Sequence, residues 1–187
     1  MSAETSPSIP EIVSQLVLAE DLDKLHLAVT HLLEKAESGD LDAILEQNDK
    51  NAAQKKSALE KEIADLPSPV LQEALHQPLT ANNLDFFSEK YLPDFLHNLQ
   101  HAAEKIEVVR LTVACRFKPA DIKDMAQLLG ERVGHPIAFT LEVDNSLIGG
   151  VIIQHGTYIS DYSLRSRLNQ FREHWRGQMA ALENIQA

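Results

Sequence analysis

Cysteine is almost missing from this chain: Cys115 is the only one in 187 residues. That excludes an intrachain disulfide or a thiolate metal cluster. The setting Leu111-Thr112-Val113-Ala114-Cys115 predicts a small buried hydrophobe. Aromatic residues are scarce, at 5%, which leaves few rings for the base-stacking platforms of single-stranded nucleic-acid binders. No apolar run approaches the roughly 18 residues that a membrane-spanning helix needs. The amino terminus is acidic and the first arginine is Arg110, unlike a secretory signal or an Arg-rich presequence, so a soluble, untargeted chain is expected. A phosphate-binding P-loop, a dinucleotide glycine fingerprint, a nucleophile elbow and a zinc-protease helix motif are all missing.

With 44% hydrophobic residues the chain is able to bury one core or two small ones, so one or two compact domains are expected. Charge is divided unevenly. Residues 1–106 carry 8 basic and 19 acidic side chains, a net of −11, whereas residues 107–187 carry 9 of each. An acidic half disfavours nucleic acid and anionic lipid, whose affinity rests on phosphate neutralisation. It suits a basic or amphipathic partner segment, and it also suffices simply to keep a surface soluble.

The first hundred residues read as helical. Ser8-Ile9-Pro10-Glu11 has capping-box spacing ahead of a helix with Ile9, Ile12, Val13, Leu16 and Val17 on one face. A second helix is predicted from Asp21 to about Ala36, with Leu22, Leu25, Val29, Leu32 and Leu33 inward and Ser38-Gly39 ending it. Asp40 opens a third. The polar stretch Gln47 to Lys56 reads as a loop or a solvated helical segment, after which Leu59, Ile63 and Leu66 restore a helical stripe and Pro67-Ser68-Pro69 breaks the chain. From Asn82 to Lys105, Leu84, Phe87, Tyr91, Leu92, Phe95, Leu96 and Leu99 cover about half a helical circumference, wider than one core-facing stripe needs. Pro93 inside this run predicts either a kink or the end of one helix and the start of another.

After Lys105 the alphabet changes. Ile106 to Ala114 predicts a strand. Pro119 to Val133 predicts a helix with Ile122, Met125, Ala126, Leu128 and Leu129 inward and Gly130 near its end. Ile137 to Val143 alternates, with Ile137, Phe139, Leu141 and Val143 on the buried face. Gly149-Gly150 precedes Val151-Ile152-Ile153, and His155-Gly156 turns into Tyr158-Ile159 as a hairpin. Asp161 or Ser163 caps the last helix, whose Arg165, Arg167, Arg172 and Arg176 lie along polar faces. The expected fold is α+β: an antiparallel helical bundle over residues 1–105, then a small β-α-β-β-β-α domain over 106–187.

Candidate chemistry is thin. His97 and His101 are four residues apart, as two helical metal ligands would be, with Glu104 one turn on. With eight histidines in the chain, an accidental pair on an exposed face explains them more simply. Asp161, Ser163 and His155 suggest a hydrolytic triad only until the capping turn accounts for the first two. No catalytic residue, cofactor or metal is expected.

One pattern is more specific. Asp144-Asn145-Ser146-Leu147-Ile148-Gly149-Gly150-Val151, then a polar turn, then Asp161-Tyr162-Ser163 with Leu168 five residues on, resembles the carboxy-terminal domain of the ATP synthase delta subunit family. In mitochondria that subunit is called the oligomycin-sensitivity-conferring protein. The resemblance covers about residues 106 to 175, and Leu92-Pro93 resembles the family's interdomain junction. Tyr162 stands where the family usually has Gly, and Pro10-Glu11-Ile12-Val13-Ser14-Gln15-Leu16 replaces its Tyr-Ala-x-Ala-Leu opening.

The resemblance implies a non-catalytic stator subunit, one copy per F-type ATP synthase, at the cytoplasmic face of a bacterial inner membrane and touching the membrane only through the complex. Its bundle would grip the amino-terminal helices of the alpha subunits, and its second domain would join the b subunits of the peripheral stalk. Ile12, Leu16, Phe87, Tyr91 and Phe95 are the expected alpha-facing residues, lining a groove for an amphipathic helix. Gly149, Gly150, Asp161, Ser163 and Leu168 form the family motif, the glycines being required for the fold. Two rivals are a nucleic-acid-binding module using the four arginines of the last helix, and a small metal-dependent hydrolase built on His97, His101 and Glu104.

Overall fold

A computed structural model describes residues 7–46, 52–88 and 90–185. The described chain is α+β, with helices through residue 103 and a mixed four-stranded sheet with two helices after it. It divides into two compact units. The first runs through Glu107 and takes in Lys123–Ala138; the second comprises Val108–Ile122 and Phe139–Ala187.

In the first unit α1 (Ile9–Gln15) buries Ile12 but ends before Leu16 and Val17 of the predicted face, Leu16 being buried just past its end, while α2 (Ala19–Glu37) buries Leu22, Leu25, Val29 and Leu32 as predicted. Ser8 makes no side-chain cap bond, so the expected capping box does not form. Its carbonyl accepts from the Ile12 N–H at 3.1 Å, and Pro10 sits in the first turn. Gly39 (φ 77) ends the α2 turn and α3 (Asp40–Glu46) follows at once. Of the ambiguous polar stretch, residues 47–51 lie outside those described, and the rest opens α4 (Ala52–Ala64), which buries Leu59 and Ile63. Lys35 on α2 pairs with Glu62 on α4.

The Pro67-Ser68-Pro69 break proves to be a helix start. Ser68 accepts from the Leu71 N–H and Pro69 occupies the first turn of α5 (Pro69–Thr80), which buries Leu71, Ala74, Leu75, Pro78 and Leu79. Gln72 donates to the carbonyls of Ala64 and Leu66, tying α5 to the end of α4. Pro93 likewise marks a start. A 3₁₀ turn at Leu84–Phe87 ends first, and α6 (Leu92–Ala103) begins with Pro93 in its first turn. A single core joins these helices around Leu25, Leu71, Leu75, Leu79, Leu96 and Leu99, all fully buried.

The predicted first strand forms as β1 (Glu107–Val113), which buries alternate residues Val109, Leu111 and Val113. α7 (Pro119–Val133) buries Ile122 and Ala126, but Leu128 is 64% exposed, contrary to the inward position expected of it. Cys115 is also exposed: it lies just past the end of β1, where the buried alternation has stopped. β2 (Ile137–Val143) departs from simple alternation, since Ala138 is buried with its neighbours Ile137 and Phe139, while Val143 is exposed at the strand's end. Ala138 belongs to the core cluster of the first unit, so the start of β2 has no solvated face. The sheet order is β2-β1-β3-β4, with β3 (Val151–His155) antiparallel to β1 and to β4 (Tyr158–Asp161). Glu107 N–H bonds the Pro136 carbonyl at one end of the β1/β2 pair and Asp144 N–H bonds the Val113 carbonyl at the other. Both strands therefore run the same way, joined by α7. The hairpin pairs His155 with Tyr158 across Gly156, which has φ +55. α8 (Leu164–Ile185) closes the chain.

Candidate functional site: partner-binding surfaces

The two halves of the sequence motif meet. Asp144 accepts from the Ser146 N–H at 2.8 Å and so starts a 3₁₀ turn at Asn145–Leu147, with Leu147 buried beneath it. Asp161 makes the same bond to the Ser163 N–H at 2.8 Å, and buried Ser163 caps α8 through the Ser166 N–H at 3.1 Å. Gly149 and Gly150 lie directly against this cap. The Gly149 carbonyl accepts from Leu164 N–H and the Val151 carbonyl from Tyr162 N–H, both at 2.9 Å. A Cβ on Gly149 would stand 2.7 Å from Leu164 Cδ1, and one on Gly150 only 2.4 Å from the Tyr162 carbonyl oxygen. Arg165 reaches back to the Ser146 hydroxyl at 3.2 Å. Hydrogen bonds from Ser146 hold the Asp144 carboxyl below its ordinary range, and those from Ser163 do the same for Asp161. The motif is a clasp that fixes where α8 starts.

What the clasp orients is exposed. Leu164, Leu168, Phe171 and Trp175 recur at the spacing of one helix face, within about 60° of one another, and all four are exposed. Phe171 and Trp175 touch, with ring centroids 5.9 Å apart. Arg165, Arg172 and Arg176 border the stripe on one side and Arg167 on the other, while Glu173 falls opposite. Sequence reasoning recorded the arginines but missed the stripe between them, though its i, i+4, i+7, i+11 spacing was there to be read.

The five expected alpha-facing residues separate. Ile12, Leu16, Phe87 and Phe95 are buried in the bundle core; Tyr91, 51% exposed, is the one that reaches the surface, with Lys90 over its ring. Phe86, not singled out from the sequence, stacks edge-on against both Phe87 and Phe95 at 5.4 and 5.3 Å. A shallow groove does open between α1 and α5, with Ile12 and Ala74 at its floor and Glu11, Gln15, Glu73 and Gln77 along it.

The residues considered for catalysis do not assemble. His155 sits at the turn of the β3/β4 hairpin and Asp161 at its far end, opposite Ile152, about 10 Å along the ladder. His97 and His101 are exposed, and His101 faces Glu104 at 3.6 Å. Among the described residues no three His, Cys, Asp or Glu side chains converge on a metal position, and no helix is long and apolar enough to cross a membrane.

The described fold is thus a helical bundle followed by a small sheet whose clasp starts a helix with one exposed apolar face. The family model described as ATP synthase delta (OSCP) subunit matches residues 15–175, and the chain belongs to that family. Among similar proteins, the ATP synthase subunit delta of Fuscovulum blasticum is 38% identical over 98 residues, 49% of this chain and 53% of that protein. That of Geobacter metallireducens is 27% identical over 140 residues, 73% of this chain and 75% of that one. The matched stretch thus spans about half the length of the former relative. A chain in the cryo-EM structure of the Toxoplasma gondii mitochondrial ATP synthase hexamer aligns over 82% of this chain and 86% of its own length, at 13% identity and a TM-score of 0.31.

Proposed function

We propose that this chain is a non-catalytic peripheral-stalk subunit of an F-type ATP synthase, one copy per complex, that holds the catalytic head to the membrane sector while the central shaft turns. The bundle takes the amino-terminal helices of the alpha subunits, and the second unit takes the b subunits at the cytoplasmic face of a bacterial inner membrane. The observation that carries the reading is the bare Leu164, Leu168, Phe171 and Trp175 stripe, which begins at the clasp formed by Gly149, Gly150, Asp161 and Ser163 in a chain of this family. A helix with four large apolar side chains in water on one face is incomplete by itself.

The α1/α5 groove supports the alpha-facing half of the reading, and it changes the roles of the residues named from sequence. Ile12 forms its floor, whereas Leu16, Phe87 and Phe95 are buried in the bundle core and do not line it. The work is mechanical: two moderate interfaces on one chain hold together through effective concentration even where each alone is weak.

The test is calorimetry of the full chain with a peptide of about twenty residues from the amino terminus of the alpha subunit encoded in the same genome. Saturable binding is expected, weakened about tenfold or more by Gln77→Trp or Glu73→Arg at the groove's surface. Absence of binding by a chain that circular dichroism shows to be folded contradicts the alpha-facing assignment.

A further inference from the structure

Ile148 is the one feature of the clasp that the clasp itself does not explain. Its backbone sits at φ 66, ψ −38, a conformation that a β-branched side chain rarely adopts and that strains it. Strain of this kind persists where surroundings impose it, and it concentrates at contacts that do work. Burial does not supply the reason for isoleucine here, because the side chain is 68% exposed. Glycine would occupy this backbone without strain, and the next two residues are glycines. Position matters too: Ile148 directly precedes Gly149, where a Cβ would stand 2.7 Å from Leu164 Cδ1, so it is one residue along the chain from the point where the loop meets the first residue of the exposed α8 stripe.

The second observation is charge. Over residues 164–176 α8 carries four arginines and one glutamate, in a chain whose net charge is −11. The arginines flank the apolar stripe on both sides, and the glutamate lies behind it. An interface built this way is complementary to a helix with an apolar ridge bordered by acidic side chains, and repels one bordered by basic side chains.

We propose that Ile148 is a partner-contacting knob that extends the α8 stripe, and that the flanking arginines select a partner helix whose apolar ridge is bordered by Asp and Glu. This rests on the stator reading in taking that helix to be a segment of a b subunit, but it specifies the chemistry by which the segment is recognised and assigns Ile148 a role in affinity rather than in folding.

Three probes are titrated against the full-length chain: the carboxy-terminal segment of the b subunit from the same genome, a designed amphipathic peptide with a Leu ridge and flanking Glu, and the same peptide with Lys in place of Glu. The wild-type chain binds the first two and not the third, with affinity for the Glu peptide falling as salt rises. Ile148→Gly weakens both complexes about tenfold or more, while the thermal midpoint stays level or rises by several degrees as strain is relieved. Arg172→Glu with Arg176→Glu abolishes the preference for the Glu peptide and leaves the midpoint unchanged. Ile148→Gly binding as tightly as wild type overturns the knob, and equal binding of the Glu and Lys peptides overturns the charge selection. If the b segment fails to bind while the Glu peptide binds in an Ile148-dependent way, the stator reading falls and the surface stands. If neither binds, or a single-stranded oligonucleotide binds in their place, both fall.

Discussion

Gly150 approaches Tyr162 so closely that a Cβ would lie 2.4 Å from the Tyr162 carbonyl oxygen and 2.9 Å from Ser163 Cα. Both obstacles are backbone atoms, and Gly150 also has φ +83. Gly150→Ala therefore costs about 2–4 kcal/mol. Gly149→Ala meets the end of the Leu164 side chain instead, which is free to rotate, and costs about 1 kcal/mol. Hydrogen exchange of the Val151–Ile153 amides in each variant checks the ranking.

Ser163 is buried and its hydroxyl caps α8, so Ser163→Ala leaves the Ser166 N–H without a partner at a cost of about 1–2 kcal/mol. Ser68, equally buried, caps α5 through a longer bond of 3.4 Å to the Leu71 N–H, and Ser68→Ala is expected at the lower end of that range. Urea unfolding followed by circular dichroism measures both.

Asp144 and Asp161 have folded-state pKa values below the ordinary aspartate value, caused first by side-chain hydrogen bonds from Ser146 and Ser163. A lowered folded pKa contributes stability that is present above the unfolded value and is lost as pH falls through the folded one. The clasp is thus expected to loosen below about pH 4. In Asp161→Asn the acid-side slope of exchange at Val151–Ile153 becomes shallower; an unchanged slope contradicts the assignment.

Leu96 is fully buried in the bundle, whereas Leu128 is exposed on α7. Leu96→Ala should cost about 2–5 kcal/mol and Leu128→Ala less than about 0.5 kcal/mol. Thermal unfolding of the two variants decides whether Leu128 is the surface residue found here or the core residue its helical phase predicts.

That contrast shows where sequence is legible. Pattern and punctuation recover α7 to the residue, β1 to within a residue at each end, and the β3/β4 hairpin at Gly156, because glycine, proline and period act locally. The α5 helix escapes because Pro67-Ser68-Pro69 reads as a stop, although Ser68 and Pro69 are equally a cap and a first turn. Leu128 and Cys115 read as inward from sequence yet are exposed, because apolarity alone does not say whether a neighbour covers a face. The motif residues were legible as a pattern, but the contact of Gly149 and Gly150 with the start of α8 is tertiary and had no local signature. Four of the five expected alpha-facing residues lie in the core, since the width of an apolar arc cannot separate a helix packed on several neighbours from one awaiting a partner.

The most direct test of the account is whether this chain bridges. The catalytic head from the same genome, stripped of this subunit, is passed over an immobilised b-subunit carboxy-terminal segment with and without the full-length chain, and retention is followed by surface plasmon resonance. The account predicts that the head is retained only when the chain is present, and that Phe171→Asp with Trp175→Asp abolishes retention while leaving the chain folded. Equal retention without the chain, or none with it, contradicts the stator assignment.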